Sequence, residues 1–225
     1  MRVFSDKKII DSWRKNAAPW IVAIQENQIE SRRLITDQAI IDRVMSLPAK
    51  NVLDIGCGEG WLARKLTPSG LSVTGLDVVP ELVQEAKKSA TGKFHVMAYE
   101  ELSVSKVSEK FDVAICNFSL LGKESVEHLF KVVRGMLNKD GYFIVQTLHP
   151  SFSDEHYAYE DGWREGSWTG FRSEFSDPAP WYFRTIESWL RLFREHGYGL
   201  VHLKEPISPA TGNVASLIMV GRVSR

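Results

Sequence analysis

The feature that most constrains this chain is a glycine-rich loop that directly follows a short apolar stretch. Residues Asn51–Ile55 read Asn-Val-Leu-Asp-Ile, and Gly56, Gly58 and Gly60 follow before a helix-like segment begins. Glycine lets the backbone turn sharply and approach a ligand closely, and a helix that follows offers unpaired N–H groups. The pattern predicts a strand, a ligand-binding turn and a helix at the carboxyl edge of a parallel sheet.

The segments around this loop alternate between strand and helix. Strands are predicted at about 51–55, 71–76, 94–98, 111–116 and 142–148, with helices at about 60–66, 80–89 and 124–137. Strands separated by helices of this length pair in parallel through right-handed crossovers. Two later strands, at about 200–204 and 215–220, are joined by a Pro- and Gly-containing loop that suggests an antiparallel pair. We therefore predict an α/β fold: a Rossmann-like, doubly wound, mostly parallel seven-stranded sheet with an antiparallel last strand and helices on both faces.

We expect a single domain over residues 1–225, because no linker, repeat or low-complexity segment divides the chain. Residues 1–48 hold three predicted helices (5–15, 18–26 and 37–47), with Ser5 and Asp37 as N-caps, and should form a lid. Residues 49–150 form the predicted core, and residues 184–225 a helix near 186–196 with the antiparallel pair. Between them, residues 151–183 form an insertion whose aromatic residues are Phe152, Tyr157, Tyr159, Trp163, Trp168, Phe171, Phe175, Trp181, Tyr182 and Phe183.

The composition argues against several other classes of protein. Lys and Arg number 28, as do Asp and Glu, so no net charge attracts nucleic acid. The first ten residues hold no apolar stretch of signal-peptide length, and no later stretch approaches a membrane span. Cys57 and Cys116 lack metal-site spacing to His or to each other. We expect a cytoplasmic protein without a metal and without nucleic-acid or membrane partners.

Two carboxylates accompany the glycine loop. Asp54 stands two residues before the first glycine, and Asp77 ends the second predicted strand, 23 residues later. The first carboxylate suits an ammonium group rather than a diphosphate, and the second can accept hydrogen bonds from ribose hydroxyls. A dinucleotide fingerprint needs its third glycine at position 61, where this chain has Trp61. The loop therefore favours a nucleoside with a cationic amino-acid tail over a dinucleotide.

The motif Asp-Ile-Gly-Cys-Gly-Glu-Gly, followed by Gly-Leu-Asp, resembles class I S-adenosylmethionine-dependent methyltransferases. Segments 13–17, 30–36 and 181–185, together with Trp20, resemble a bacterial small-molecule branch of that family, so the similarity extends over the whole chain. The resemblance implies that the protein moves a methyl group from S-adenosylmethionine to a small molecule by in-line displacement, leaving S-adenosylhomocysteine. In such a reaction a protein acts mainly by positioning donor and acceptor. The acceptor atom and the oligomeric state stay open.

The resemblance also implies a set of cofactor-binding residues. The three glycines would form the floor under the methionine moiety, Asp54 would hold its amino group and Asp77 the ribose. The Asp that often faces adenine is replaced by Ala98, so the Tyr99 backbone N–H, with the Tyr99 or Glu100 side chain, would make that contact. Arg32 or Arg33 would pair with the methionine carboxylate, unless both are solvated. The full set is Arg32, Arg33, Asp54, Gly56, Cys57, Gly58, Gly60, Trp61, Asp77, Val78, Ala98, Tyr99, Glu100, Asn117 and Phe118.

The acceptor is expected under the aromatic insertion, because the insertion follows the fifth strand and overhangs the same edge. Aromatic faces can enclose a flat or apolar molecule or contact a sulfonium; alternatively, these rings simply pack the insertion onto the sheet. His149 and His156 are candidate general bases, with a structural histidine as the alternative. Arg184 holds an acidic group or caps the insertion. The candidate substrate residues are Tyr157, Trp163, Trp168, Trp181 and Arg184.

Two other functions compete with the small-molecule methyltransferase. A nicotinamide-dependent oxidoreductase can share the fold, although Trp61 and Asp54 disfavour it. A non-catalytic S-adenosylmethionine-binding protein is compatible with every motif. Methylation of nucleic-acid bases is disfavoured, because the Asn-Pro-Pro-Tyr motif that marks it is replaced by Asn-Phe-Ser-Leu after the fourth strand.

Overall fold

The structure, a computed structural model, describes residues 4–152, 157–171 and 174–223. Its helices are α1 (Asp6–Lys15), α2 (Ala17–Gln25), α3 (Asp37–Met45), α4 (Trp61–Leu66), α5 (Pro80–Ser89), α6 (Glu124–Val133) and α7 (Ile186–Glu195), with a π-helical turn at Arg32–Thr36. Its strands are β1 (Asn51–Ile55), β2 (Ser72–Asp77), β3 (Lys93–Val96), β4 (Phe111–Asn117), β5 (Leu137–Thr147), β6 (Gly162–Arg164), β7 (Trp181–Phe183), β8 (Tyr198–Lys204) and β9 (Leu217–Val223).

Seven of these strands form one sheet in the order β3-β2-β1-β4-β5-β9-β8. Every neighbouring pair from β3 to β5 is parallel, and β9 runs antiparallel to both β5 and β8. The predicted fold is confirmed, including the antiparallel last strand. The strand order reverses between β1 and β4, which opens a crevice at their carboxyl ends where ligands bind in folds of this kind.

The central strands are mostly apolar because both faces of the sheet are covered. Val113 and Ile115 of β4 pack with α3, α4 and α5, whereas Ala114 and Cys116, which alternate with them, pack with α6 and α7. Consecutive side chains point to opposite faces of a strand, so a strand buried on both faces carries no polar alternation. None of the helices in the described part of the chain is long and apolar enough to cross a membrane.

Two local predictions are wrong, and one element has no counterpart in the sequence analysis. Asp37 is not an N-cap: Thr36 precedes α3, and the Asp37 carboxylate binds Arg32 instead, with Nε to Oδ1 at 2.9 Å. The helix predicted to reach residue 137 ends at Val133, because Leu137 already pairs with Phe111 in the sheet. The short hairpin of β6 and β7 inside the insertion was not predicted. Ser5 is confirmed as an N-cap, since its hydroxyl accepts from the Lys8 N–H at 3.2 Å.

The N-terminal helices are fastened to the insertion by a buried polar clamp. The fully buried Asn16 amide donates to the Ser176 carbonyl at 2.7 Å and accepts from the Ser176 N–H at 2.9 Å. The same amide nitrogen donates to the Ser12 carbonyl at 2.8 Å, and the Ser12 hydroxyl donates to the Asp177 carbonyl at 2.6 Å. Both segments therefore hold each other in place above the sheet.

An aromatic cluster lies beside this clamp. Trp13 of α1 contacts Trp20 of α2 and Trp168 of the insertion edge to face, at centroid distances of 5.0 and 5.8 Å. Trp168 in turn packs on Phe171 and Phe175 at 5.3 and 4.8 Å. Edge-to-face pairs of this kind add attraction beyond the area they bury. We call these five rings the lid cluster, because they join the N-terminal helices to the insertion.

Gly60 and Gly70 have nearly equal φ angles but different surroundings. Comparing substitutions at the two positions therefore distinguishes the cost of a left-handed backbone from the cost of a steric clash. Gly60 before α4 has φ +82°, and Gly70 before β2 has φ +88°. A Cβ on Gly60 would lie 2.9 Å from the Ala86 Cβ of α5, whereas a Cβ on Gly70 would meet no atom within 4 Å. The glycine loop thus depends on close packing between α4 and α5.

We expect Gly70→Ala to lower the free energy of unfolding by about 1 kcal/mol, the cost of a left-handed alanine. Gly60→Ala should lower it by about 1–3 kcal/mol more, because the added methyl group overpacks the α4–α5 contact. Urea unfolding of both variants measures the difference. Equal losses in the two variants would show that the contact with Ala86 is not tight.

We expect Asn16→Ala to lower the free energy of unfolding by about 3 kcal/mol, because it removes the three hydrogen bonds of a fully buried amide, each worth about 1 kcal/mol. The Ser176 N–H loses its partner, whereas the Ser176 carbonyl keeps the Trp168 indole N–H at 2.9 Å. The matched control is Asn213→Ala, which removes an exposed amide and should change stability by less than about 0.5 kcal/mol. Urea unfolding again provides the measurement. Equal stability of the two variants would contradict the clamp.

Candidate active site

A cavity of about 380 Å³ lies at the carboxyl edge of the sheet, between the strand ends, the N-terminal helices and the insertion. Its walls come from the loops after β1, β2, β4 and β5, from α1 and α2, from the π-helical turn and from the insertion. This volume falls within the range of small-molecule sites in proteins. The cavity therefore occupies the crevice that the strand order creates.

The glycine loop forms one wall of the cavity by turning in the left-handed region. Gly56 and Gly58 have φ values of +77° and +57°. The Gly56 and Cys57 N–H groups donate to the Leu76 carbonyl at 2.7 and 2.9 Å, which ties the loop to the end of β2. A Cβ on Gly56 would lie 2.3 Å from the Ser119 Cβ. No larger residue fits at position 56, so the wall keeps its shape.

Two buried carboxyl groups lie at the ends of β1 and β2. Asp77 accepts hydrogen bonds from the Gly58 and Val79 N–H groups, both at 2.9 Å, yet burial raises the pKa of its carboxyl to about 6. Burial, with the negative charges of Asp77 and Glu59, raises the pKa of the Asp54 carboxyl to about 7. These shifts mean that the ligand-free site disfavours its own negative charge.

Two residues of the cavity lining each hold a buried side-chain oxygen without a partner within the described residues. Glu59 is fully buried: its Oε1 pairs with Arg64 at 2.7 Å, while its Oε2 has no partner within the described part of the chain. The Asn117 Oδ1 at the end of β4 is also buried without a hydrogen-bond partner within the described residues. A buried polar atom without a partner is costly unless a ligand or water supplies one. These two oxygens mark positions where a hydrogen-bond donor is required.

Of the neighbouring pair Arg32 and Arg33, only Arg32 lines the cavity. Its guanidinium lies 4.6 Å from the Trp61 ring centroid and 5.8 Å from that of Trp20, and its Nε donates to Asp37. The π-helical turn before α3 points this side chain inward. Arg33 is exposed and lies outside the lining. The structure therefore separates the two arginines that the sequence left as equivalent candidates.

The turn after β4 is locked to β1 through Ser119. The Ser119 hydroxyl donates to the Ile55 carbonyl at 2.7 Å, and the Tyr99 hydroxyl donates to the Ser119 carbonyl at 3.1 Å. The Tyr99 side chain is thereby engaged within the protein. Phe118, which lines the cavity, has φ +52°, an uncommon conformation for a bulky residue that surrounding structure must enforce.

His149 lines the cavity beyond β5, and protein groups occupy both of its ring nitrogens. The Ser151 N–H donates to Nδ1 at 3.1 Å, so the ring proton sits on Nε2 and is donated to Glu205 at 2.7 Å. A general base needs a free lone pair facing the acceptor. Such a role for His149 requires that Ser151 first leave Nδ1. His156, the second candidate base, lies outside the described residues.

Arg184 is buried and anchors the loop before α6. Its guanidinium donates to the carbonyls of Gly122 and Lys123 at 2.8 and 3.1 Å. Tyr157 and Trp163, two of the candidate substrate residues, lie outside the cavity lining. Tyr157 instead stacks under the Arg164 guanidinium at 4.2 Å. Part of the aromatic insertion is thus packing rather than cavity wall.

The structure brings most of the sequence-derived candidates together. Those that line the cavity are Arg32, Gly56, Cys57, Gly58, Trp61, Asp77, Val78, Tyr99, Glu100, Asn117, Phe118, His149, Trp168, Trp181 and Arg184. Those outside the lining are Arg33, Asp54, Gly60, Ala98, Tyr157 and Trp163. Asp54 is buried within β1 and acts on the site through its charge.

Sequence reasoning missed several residues of the site. Glu59 was visible between two glycines of the loop, but nothing in the pattern indicated that its side chain is buried. Ser119 and Asp6 also line the cavity, and Glu205 reaches His149 from a distant loop, a contact that only tertiary structure reveals. Within the residues described, no group of three or more His, Cys, Asp or Glu side chains is placed to hold a metal ion.

Comparison with known proteins agrees with this architecture. A crystal structure of an S-adenosylmethionine dependent methyltransferase from Mesorhizobium loti superposes with a TM-score of 0.62 at 21% identity, over 80% of this chain and 94% of that one. The 1,6-didemethyltoxoflavin-N1-methyltransferase of Burkholderia thailandensis superposes with a TM-score of 0.64 at 19% identity, over 94% of this chain and 88% of that one. At these identities the likeness concerns the fold.

Sequence comparison identifies the family. The ubiquinone biosynthesis O-methyltransferase of Glaesserella parasuis is 27% identical over 118 residues, which are 49% of this chain and 50% of that protein. The chain therefore spans about half the length of such curated relatives. The family model described as a methyltransferase domain matches residues 30–203, from the π-helical turn to the last residues of β8. The chain belongs to the methyltransferase domain family.

Proposed function

We propose that this protein transfers a methyl group from S-adenosylmethionine to a small-molecule acceptor. The observation that carries the proposal is the group of buried carboxyls around the glycine loop: Asp54 and Asp77 have raised pKa values, and one Glu59 oxygen lacks a partner within the described residues. A ligand with a positive charge and hydrogen-bond donors relieves this cost, whereas a diphosphate increases it. The cavity thus selects a cationic nucleoside.

The residues present fit this cofactor. Each carboxylate oxygen has two lone pairs, so Asp77 can accept ribose hydroxyls in addition to its two backbone donors. Asn117 Oδ1 and Glu59 Oε2 are the acceptors we assign to the amino group, with Asp54 supporting them by charge. Arg32, held between two indole rings, is the partner we assign to the carboxylate. When bound, the cofactor supplies a methyl group on a positively charged sulfur.

The protein's contribution to such a reaction is to fix both reactants and exclude water. The locked Ser119 turn fixes Phe118 and Asn117, and the lid cluster covers the cavity. Proximity and orientation account for a large share of catalysis in displacement reactions, and preorganised groups in a dry site add electrostatic stabilisation. In this proposal the lid, core and insertion act as one unit around a single cavity.

Two further features support a small-molecule acceptor. The relatives include enzymes named for ubiquinone biosynthesis and for 1,6-didemethyltoxoflavin, both with small molecules in their names. The chain has no excess of basic residues with which to hold nucleic acid. Both cysteines are buried free thiols, which fits the cytoplasm that we propose as its location.

Titration calorimetry with S-adenosylhomocysteine and with NAD tests the proposal. We expect micromolar binding of S-adenosylhomocysteine and none of NAD. Asp77→Asn should weaken binding at least tenfold, because it removes a charged acceptor worth about 1.5–3 kcal/mol. The matched control is Asp112→Asn. The native Asp112 carboxylate likewise accepts from two backbone N–H groups, those of Lys50 and Asn51, but it lies at the opposite edge of the sheet. Binding of NAD, or equal effects of the two variants, would contradict the proposal.

The stability of the ligand-free protein should fall as pH rises. Asp54 and Asp77 keep protons in the folded state up to about pH 7 and 6, whereas an unfolded chain releases them near pH 4. The folded state therefore binds more protons across this window, and stability declines with pH. Between pH 5 and 7.5 we expect these two carboxyls together to lower the free energy of unfolding by about 4 kcal/mol, measured by urea unfolding. Asp54→Asn should flatten this dependence, and an unchanged slope would refute its cause.

A further inference from the structure

The part of the cavity beyond β4 and β5 differs from the part around the glycine loop. We call it the acceptor chamber, and its walls include Ile9 and Ile10 of α1, Phe118, Leu121, Trp181 and Tyr182. These walls are apolar side chains and aromatic faces. Its chemistry is therefore decided by the few ionisable groups that also reach it: Asp6, Arg184 and His149.

The Asp6 carboxylate is hydrogen-bonded within the protein. Its two carboxylate oxygens accept from the Lys123 N–H at 2.9 Å and from the Ser125 N–H at 2.7 Å. These donors lie at the start of α6, whose N-terminus carries the positive end of the helix dipole. A carboxylate in this position is satisfied as a helix cap, and a cationic substrate would have to compete with that cap.

The Arg184 guanidinium is hydrogen-bonded to the same loop before α6. Its guanidinium donates to the Gly122 and Lys123 carbonyls and lies 4.8 and 5.2 Å from the ring centroids of Tyr182 and Trp189. Asp6 and Arg184 thus hold neighbouring backbone groups with opposite charges. Their charges offset each other within the chamber wall, which leaves no excess positive charge for a substrate acid.

His149 is the third ionisable side chain that reaches the chamber. Its Nδ1 accepts from the Ser151 N–H, and its Nε2–H is donated to Glu205, so the ring is bound at both nitrogens. Asp6, Arg184 and His149, the groups at the chamber wall that could carry a charge near neutral pH, are therefore each paired with another part of the protein.

We propose that the methyl acceptor is an uncharged, flat and largely apolar molecule, such as a neutral aromatic ring system. This inference rests on the proposed function and names the substrate class of the same site. Aromatic and aliphatic walls favour a planar apolar ligand. An ionised carboxylate or ammonium on that ligand would lose its water without gaining a partner, which is strongly unfavourable.

Calorimetry on protein saturated with S-adenosylhomocysteine tests the inference with three matched probes. These are neutral 2-naphthol, the carboxylate 3-hydroxy-2-naphthoate and the cation 2-naphthylmethylammonium. We expect 2-naphthol to bind at least tenfold more tightly than either ion. Comparable or tighter binding of an ion, or no binding of any probe, would overturn the inference.

A charge placed in the chamber provides the complementary test. Leu148 lines the cavity after β5 and is 44% exposed, so a longer side chain fits there. We expect Leu148→Arg to tighten binding of 3-hydroxy-2-naphthoate at least tenfold, whereas Leu148→Gln leaves it weak. If S-adenosylhomocysteine binds and these charge effects are missing, the inference alone fails. If S-adenosylhomocysteine itself does not bind, the proposed function fails, and this inference fails with it.

Discussion

The burial of carboxylates around the glycine loop is the constraint on which the rest of the site depends. Asp54 and Asp77 end neighbouring parallel strands, and Glu59 stands inside the loop between them. Parallel pairing of β1 with β2 brings these groups to one edge, where two covered sheet faces exclude water. The negative charge that results is costly without a ligand. A protein retains such a cost where it has a functional use.

The covering of this edge follows from a second constraint, the mutual dependence of the two lid segments. These two segments are the N-terminal helices α1 and α2 and the insertion. They share the lid cluster and the Asn16 clamp, so each segment positions the other. One consequence is that Trp13 and Trp20, which are far from the insertion in sequence, line the same cavity as the insertion.

Much of this architecture could be predicted from the sequence because the relevant signals are local. Strand alternation, the glycine spacing and the positions of Asp54 and Asp77 are short-range patterns that fix the parallel sheet and its ligand edge. The helix end near Val133 was misplaced because pairing of Leu137 with Phe111 is a tertiary interaction. The contact of Glu205 with His149 crosses 56 residues of sequence and has no local signal.

The aromatic insertion also contains contacts that its sequence alone does not predict. Its composition predicted a wall over the acceptor, and Trp168 and Trp181 do line the cavity. Trp163 instead packs against Phe4 and Tyr182, because an insertion of this length must also bury surface to stay ordered. Composition alone cannot divide such rings between packing and binding.

The central claim is that the ammonium group of a bound ligand relieves the cost of the buried carboxyls around the loop. The most direct measurement is titration calorimetry of S-adenosylhomocysteine binding at pH 6.5 in two buffers of different ionisation enthalpy. The account expects a net release of about one proton per ligand bound, because the ammonium group draws the Asp54 and Asp77 carboxyls into their ionised forms. A binding enthalpy that is equal in both buffers, or a net uptake of protons, would contradict it.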